Sequence, residues 1–178
     1  TFGSVSINAA DGDGDNSGDG SGNTSGNLSI QNDITVTGNW SNEVGEAGFT
    51  HNNKIANFTG SGATITGNNN FATANFTGDN IQLNGNNTIT TANFTGSGAT
   101  ITGDNYFDSL YVETPGNCEL IINGTINISE GGDLQLSGSS EEALLTIKTE
   151  SGGKINIANE EDGLKDIEKR KCNHLQNK

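Results

Sequence analysis

Four aspartates at closely spaced positions, Asp11, Asp13, Asp15 and Asp19, punctuate the stretch NAADGDGDNSGDGSGNTSGN of residues 8–27. Alternate carboxylates on a pliant glycine-rich backbone can converge hard oxygen ligands on Ca²⁺. A twelve-residue calcium loop needs glycine at its sixth position and a bidentate glutamate at its twelfth. Counted from Asp11, those positions are Asn16 and Gly22. The expectation is therefore a chain without a cofactor, in which these four carboxylates bind Ca²⁺ no better than about 10⁻⁴–10⁻³ M, or serve as an ordinary solvated linker.

A second pattern is periodic. Asn57, Asn75 and Asn93 each stand two residues before a threonine, Thr59, Thr77 and Thr95. On a strand, residues two apart share a face, so these six predict two parallel outward ladders and a candidate binding face. Flat, evenly spaced threonines suit ordered water, which makes ice binding one alternative function. The matching ladder at Thr64 and Thr66 is interrupted by Gln82 and Asn84 before Thr100 and Thr102 restore it. Each N-F-T is also an N-glycosylation acceptor, with further acceptors at Asn23, Asn27, Asn39, Asn86, Asn123 and Asn127.

Catalytic groups are sparse. A polysaccharide lyase needs a basic residue to abstract a proton beside a carboxylate, yet the only arginine is Arg170 and the segment 56–109 holds no lysine. A hydrolase needs carboxylates paired about 5–9.5 Å apart, and this segment offers Asp79, Asp104 and Asp108. His51 and His174 lie far apart and read as surface residues. No enzymatic activity is expected; a polysaccharide-active enzyme is the weakest alternative.

The elements that would position these residues follow from an 18-residue unit repeated three times over 56–109: ANFTGSGATITGNNNFAT, ANFTGDNIQLNGNNTITT and ANFTGSGATITGDNYFDS. A short fixed period marks a solenoid, in which no unit buries a core alone. Apolar residues come in pairs two apart, such as Ala56 with Phe58 and Ala63 with Ile65, giving three one-sided strands per coil. Phe58, Phe76 and Phe94 then form one internal stack, Ile65, Leu83 and Ile101 a second wall, and Phe71, Ile89 and Phe107 a third. Glycine columns at 60/78/96 and 67/85/103 are expected at bends that need positive φ, and Asn80 can stand in the column of Gly62 and Gly98 because asparagine tolerates the left-handed region.

The fold predicted is all-β: a single-stranded parallel β-helix, right-handed, with 18-residue coils in the middle and longer coils toward the C-terminus. Four regions follow: 1–55, degenerate coils carrying the acidic loop 8–27; 56–109, the three repeats; 110–157, longer coils; and 158–178, a charged cap or tail. Helical spacing fails for the repeats, and the nine-residue G-G-x-G-x-D calcium roll is absent.

With 178 residues, 26 glycines, 30% apolar residues and a net charge of −14, the chain suits a slim solenoid and lacks the basic surface that nucleic acid requires. No stretch reaches the length of a membrane helix, so no membrane span is expected in this segment. Cys118 and Cys172 lack metal-ligand spacing, so a disulfide between them stays open.

The segment DNYFDSLYVETPGNCELIINGTINISEGGDLQLSGSSEEALLTIKTESGGKINI, residues 104–157, resembles the NxFxxLxI … I/V-x-G-x-L-x-L-x-G … LLTIKS … G pattern of β-helical repeats in large bacterial surface proteins, haemagglutinin-like or autotransporter-passenger-like. The likeness spans residues 56–157 at most and consists mainly of structural punctuation; the tail EEDGLKDIEKRKCNHLQNK departs from it. It implies a secreted or cell-surface, bacterial, non-catalytic solenoid: an adhesin stalk or structural repeat, alternatively a subunit of an extracellular, glycosylated fibre. Its partners would be a host-cell, glycan or matrix surface, or further copies stacked end to end.

Overall fold

The computed structural model describes residues 1–8, 23–25, 27–115, 118–138, 145–149 and 152–158. Its strands, in chain order, are β1 (Val5–Asn8), β2 (Asn23–Ser25), β3 (Leu28–Ser29), β4 (Ile34–Val36), β5 (Trp40–Asn42), β6 (Phe49–Thr50), β7 (Ile55–Phe58), β8 (Thr64–Gly67), β9 (Asn70–Phe76), β10 (Gln82–Asn84), β11 (Thr88–Phe94), β12 (Thr100–Thr114), β13 (Cys118–Gly138), β14 (Leu145–Thr149) and β15 (Lys154–Ile157). Among the described residues the helical content is one 3₁₀ turn, Glu46–Gly48.

Every pairing is parallel, and the strands stack into a β-solenoid of about five turns. Alternation of buried and half-exposed residues, as along Ile55–Phe58, turns one side of each strand inward. The first wall aligns Val36, Phe58, Phe76, Phe94, Val112 and Leu136 in register. On the second wall Trp40, Ile65, Leu83, Ile101 and Ile122 are aligned. The third aligns Phe71, Ile89, Phe107, Ile128 and Ile157. Phe58, Phe76 and Phe94 are at most 1% exposed. Their rings lie nearly parallel with centroids 5.3 and 4.3 Å apart, the offset arrangement aromatic quadrupoles favour. Toward the N-terminus Trp40 meets Phe49, Phe58 and Phe71 edge-on at 4.9–6.0 Å, so the degenerate coils before the repeat share its core.

The corners separate two uses of glycine. Gly67, Gly85 and Gly103 take φ of +99°, +109° and +92°, and Asn80, at +55°, occupies the same left-handed region as Gly62 and Gly98. Gly60, Gly78 and Gly96 do not adopt positive φ, so their expected role is corrected. A Cβ on Gly78 would run into the carbonyl of Gly60, and one on Gly96 into that of Gly78. Close stacking of backbone on backbone, not turn conformation, excludes a side chain there. Thr114 follows Val112 by two, as Gly96 follows Phe94, and it interrupts the column, which Gly138 resumes on the next coil. It is 2% exposed, and its Oγ1 has no hydrogen-bond partner.

Beyond that point the step between aligned residues grows from 18 to 24, Leu110 to Leu134, and 29, Ile126 to Ile155. At the other end β1 lies between β5 and β2. The stretch read as an acidic loop therefore contributes Asn23–Ser25 as a strand laid against the outer edge of β1.

Candidate functional site

The outward ladder on the first wall is built by β7, β9 and β11, whose inward alanine and phenylalanine columns turn the intervening asparagines to the surface. Asn57 Nδ2 donates to the Ile34 carbonyl at 3.1 Å, Asn75 Nδ2 to Asn57 Oδ1 at 2.8 Å, and Asn93 Nδ2 to Asn75 Oδ1 at 2.8 Å. These half-buried amides are engaged with one another along the axis. A glycan on Asn75 would replace an amide hydrogen on the very nitrogen that holds the ladder to Asn57.

Thr59, Thr77 and Thr95 are exposed, and their backbone N–H groups donate to the preceding coil at Val36, Phe58 and Phe76, at 2.9–3.0 Å. Their hydroxyls have no protein partner among the described residues. The paired rank lasts three rungs: Thr35 precedes Asn57 and Tyr111 follows Asn93 in one column, while in the other Thr37 precedes Thr59 and Glu113 follows Thr95. On the second wall, Gln82 and Asn84 stand in register between the threonines of β8 and β12.

Sequence reasoning missed a second amide ladder, inside the solenoid. Asn69, Asn87 and Asn105 are fully buried. Asn69 Nδ2 donates to Asn87 Oδ1 at 2.9 Å and Asn87 Nδ2 to Asn105 Oδ1 at 2.8 Å, while the backbone N–H of Asn69 and of Asn87 each add a bond of 3.2 Å to the same acceptors. At the N-terminal end Asn69 Oδ1 accepts from Trp40 Nε1 at 2.8 Å and Asn42 Nδ2 at 3.2 Å. At the other end Asn105 Nδ2 donates to the carbonyls of Thr102 and Gly103, both at 3.2 Å. Buried polar groups are tolerated only when satisfied in this way. The signal was present: Asn69, Asn87 and Asn105 hold constant while their neighbours vary, and each stands two residues before an inward Phe or Ile.

The remaining candidates disperse. Asp11, Asp13, Asp15 and Asp19 lie outside the described residues, as do Cys172, His174 and the tail from residue 159. Among the described residues no three His, Cys, Asp or Glu side chains gather as a metal site. His51 Nδ1 accepts the backbone N–H of Asn53 at 2.9 Å, which ties it to a turn. Asp79 Oδ1 accepts the N–H of Ser97 at 2.9 Å, and Asp108 Oδ1 accepts the hydroxyl of Ser129 at 2.8 Å. Asp79, Asp104 and Asp108 occupy three different columns of the solenoid. Among the described residues no helix is long and apolar enough to cross a membrane.

Searches against protein-family models, curated proteins and solved structures found no match to this chain.

Proposed function

We propose that the protein is a non-catalytic rod of a bacterial extracellular or cell-surface protein, an adhesin stalk or structural repeat that holds a binding surface at a distance. One observation carries the reading: the repeated side chains are engaged with their own copies. The phenylalanines stack on phenylalanines, the buried amides bond to amides, and the outward asparagines close a ladder of their own. Repetition of this kind serves stiffness along the axis, because each coil contacts only its neighbours and length can grow without altering the cross-section. The resemblance of residues 56–157 to repeats of bacterial surface proteins supports the same reading.

A fibre subunit is the second reading. It is favoured by β14, β15 and the segment 133–138, which have no further strand beyond them among the described residues. Unpaired edges of this sort template pairing with another chain. Small-angle scattering with light scattering separates the two: a monomeric rod that attaches to cells or matrix supports the stalk, and end-to-end polymers support the fibre. Cleavage of any polysaccharide by the purified chain would overturn both.

A further inference from the structure

We propose that the groove beside Tyr106 is a subsite for one neutral hexopyranose ring of a surface glycan, a reading that rests on the surface role above and gives it a ligand. The column of outward residues on the third wall runs Asn70, Thr88, Tyr106, Asn127, Asn156. Four of these five rungs are small and polar, and the middle one presents an aromatic ring that is 54% exposed.

A single exposed aromatic is ordinary on a protein surface, so the surroundings of the ring decide the matter. The chain has two tyrosines, and they are used differently. Tyr111 donates its hydroxyl to Asp133 Oδ2 at 3.0 Å, whereas the Tyr106 hydroxyl has no partner among the described residues. Beside Tyr106 lies an open groove of about 280 Å³, lined further by Asn127, Ser129, Asn156 and Ala158 together with Ile128 and Ile157. That volume falls just below the roughly 300–1,000 Å³ of sites for drug-sized ligands, which suits a single ring.

The polar groups at the groove are held in place. Asn127 Nδ2 donates to the Asn105 carbonyl at 3.3 Å, and Asn156 Nδ2 donates to Asn127 Oδ1 at 3.0 Å. Each amide keeps a second N–H, and Asn156 Oδ1 accepts nothing among the described residues. Ser129 gives its proton to Asp108 Oδ1 at 2.8 Å, leaving its oxygen as an acceptor.

Donors and acceptors side by side match vicinal hydroxyls, which both give and take hydrogen bonds. The C–H face of a pyranose meets the negative face of the tyrosine ring. An aromatic, concave lining with a few fixed polar groups is the general form of a small-ligand site. Charge selects among sugars: the Asp108 carboxylate bonded to Ser129 and a net charge of −14 disfavour uronates and other anionic sugars.

The test is an NMR titration of the isotope-labelled full chain with methyl glucoside, methyl galactoside and methyl mannoside, with galacturonate as the anionic control. The expected result is that at least one neutral hexoside shifts the Tyr106 ring signals together with the Asn127 and Asn156 side-chain amides, with millimolar affinity, and that galacturonate binds more weakly. Tyr106→Ala should weaken binding about tenfold or more, by analogy with aromatic stacking platforms. Tyr106→Phe should retain most of it, and Tyr111→Phe all of it. No shift with any of the three hexosides at about 50 mM, well above a millimolar dissociation constant, overturns the subsite. So does equal binding by Tyr106→Ala. Attachment to an enzymatically deglycosylated matrix, undiminished in Tyr106→Ala, overturns the subsite and leaves the surface role standing, whereas polysaccharide cleavage overturns that role itself.

Discussion

The three coils between Ile55 and Ser109 and the longer coils between Cys118 and Ala158 share one architecture, parallel strands in register on three walls, yet close their interiors to different degrees. In the first region each inward column repeats itself. Phe76 sits between Phe58 and Phe94, Asn87 between Asn69 and Asn105, and Leu83 between Ile65 and Ile101, all at most 1% exposed. In the second region the columns change partner: Asn105 is followed by Ile126 and Val112 by Leu136. Leu134, Leu136, Leu145, Ile155 and Ile157 are only partly buried, Ile147 is 40% exposed, and Asn123 Oδ1 is buried without a partner. The hydrogen-bonded ladder tolerates both arrangements, because backbone pairing is indifferent to side chains. Stacking like on like with a constant step seals the repeat coils throughout, whereas beyond them burial persists only in part, as at Ile126 and Ile128, at most 2% exposed.

The sharpest way to break the comparison is to open the same wall in both regions. Phe76→Ala removes the middle ring of the stack and is expected to cost about 3–5 kcal/mol in urea unfolding, through lost burial and the cavity left behind. Leu136→Ala, in the same column but half-buried, should cost about 1–2 kcal/mol, below the usual range for a fully buried leucine. Equal costs would mean that the longer coils are as well packed as the repeats.

A finer comparison sets the inner amide ladder against the outer one. Asn87→Ala strips the acceptor from two donors of Asn69 and one of the two donors from Asn105 Oδ1, which keeps the backbone N–H of residue 87, all inside the core. The expected cost is about 2–4 kcal/mol, since each stranded buried group carries roughly 1–3 kcal/mol. Asn75→Ala breaks a ladder of the same chemistry at a half-buried surface, where water can replace the lost partner. It should cost less than about 1 kcal/mol. Thermal unfolding of the two variants side by side is sufficient. An outer variant as damaging as the inner one would show that the surface ladder is a structural element in its own right.

Much of this was legible in the sequence because an exact repeat makes columns visible. The phenylalanine stack, the Ile65 wall and the left-handed Asn80 follow from period, alternation and backbone sterics. The inner ladder was not read, because an asparagine is priced as polar and therefore outward. Only its constancy and its two-residue spacing from Phe71, Ile89 and Phe107 mark it as inward. The role of Gly60, Gly78 and Gly96 was misassigned because sequence reports that a side chain is excluded, and not whether conformation or a neighbouring carbonyl excludes it. β2 was hidden within a stretch lacking large apolar residues, where pairing to an existing edge supplies order without a core. The groove beside Tyr106 depends on which residues of different coils become neighbours, and beyond Ser109 the period no longer tells.

Residue-resolved hydrogen exchange of the intact chain tests the central claim, that identical stacked columns lock the repeat coils into one parallel solenoid. The decisive amides are those that cross between coils: Thr88 to Asn69 at 2.8 Å, Thr95 to Phe76 at 3.0 Å, and Thr100 to Ile81 at 2.9 Å. They should exchange only through global unfolding, while amides of β14 and β15 open locally at a free energy lower by about 2 kcal/mol or more. Rapid exchange at Thr88, Thr95 and Thr100, or protection no greater there than in β14 and β15, would contradict the account.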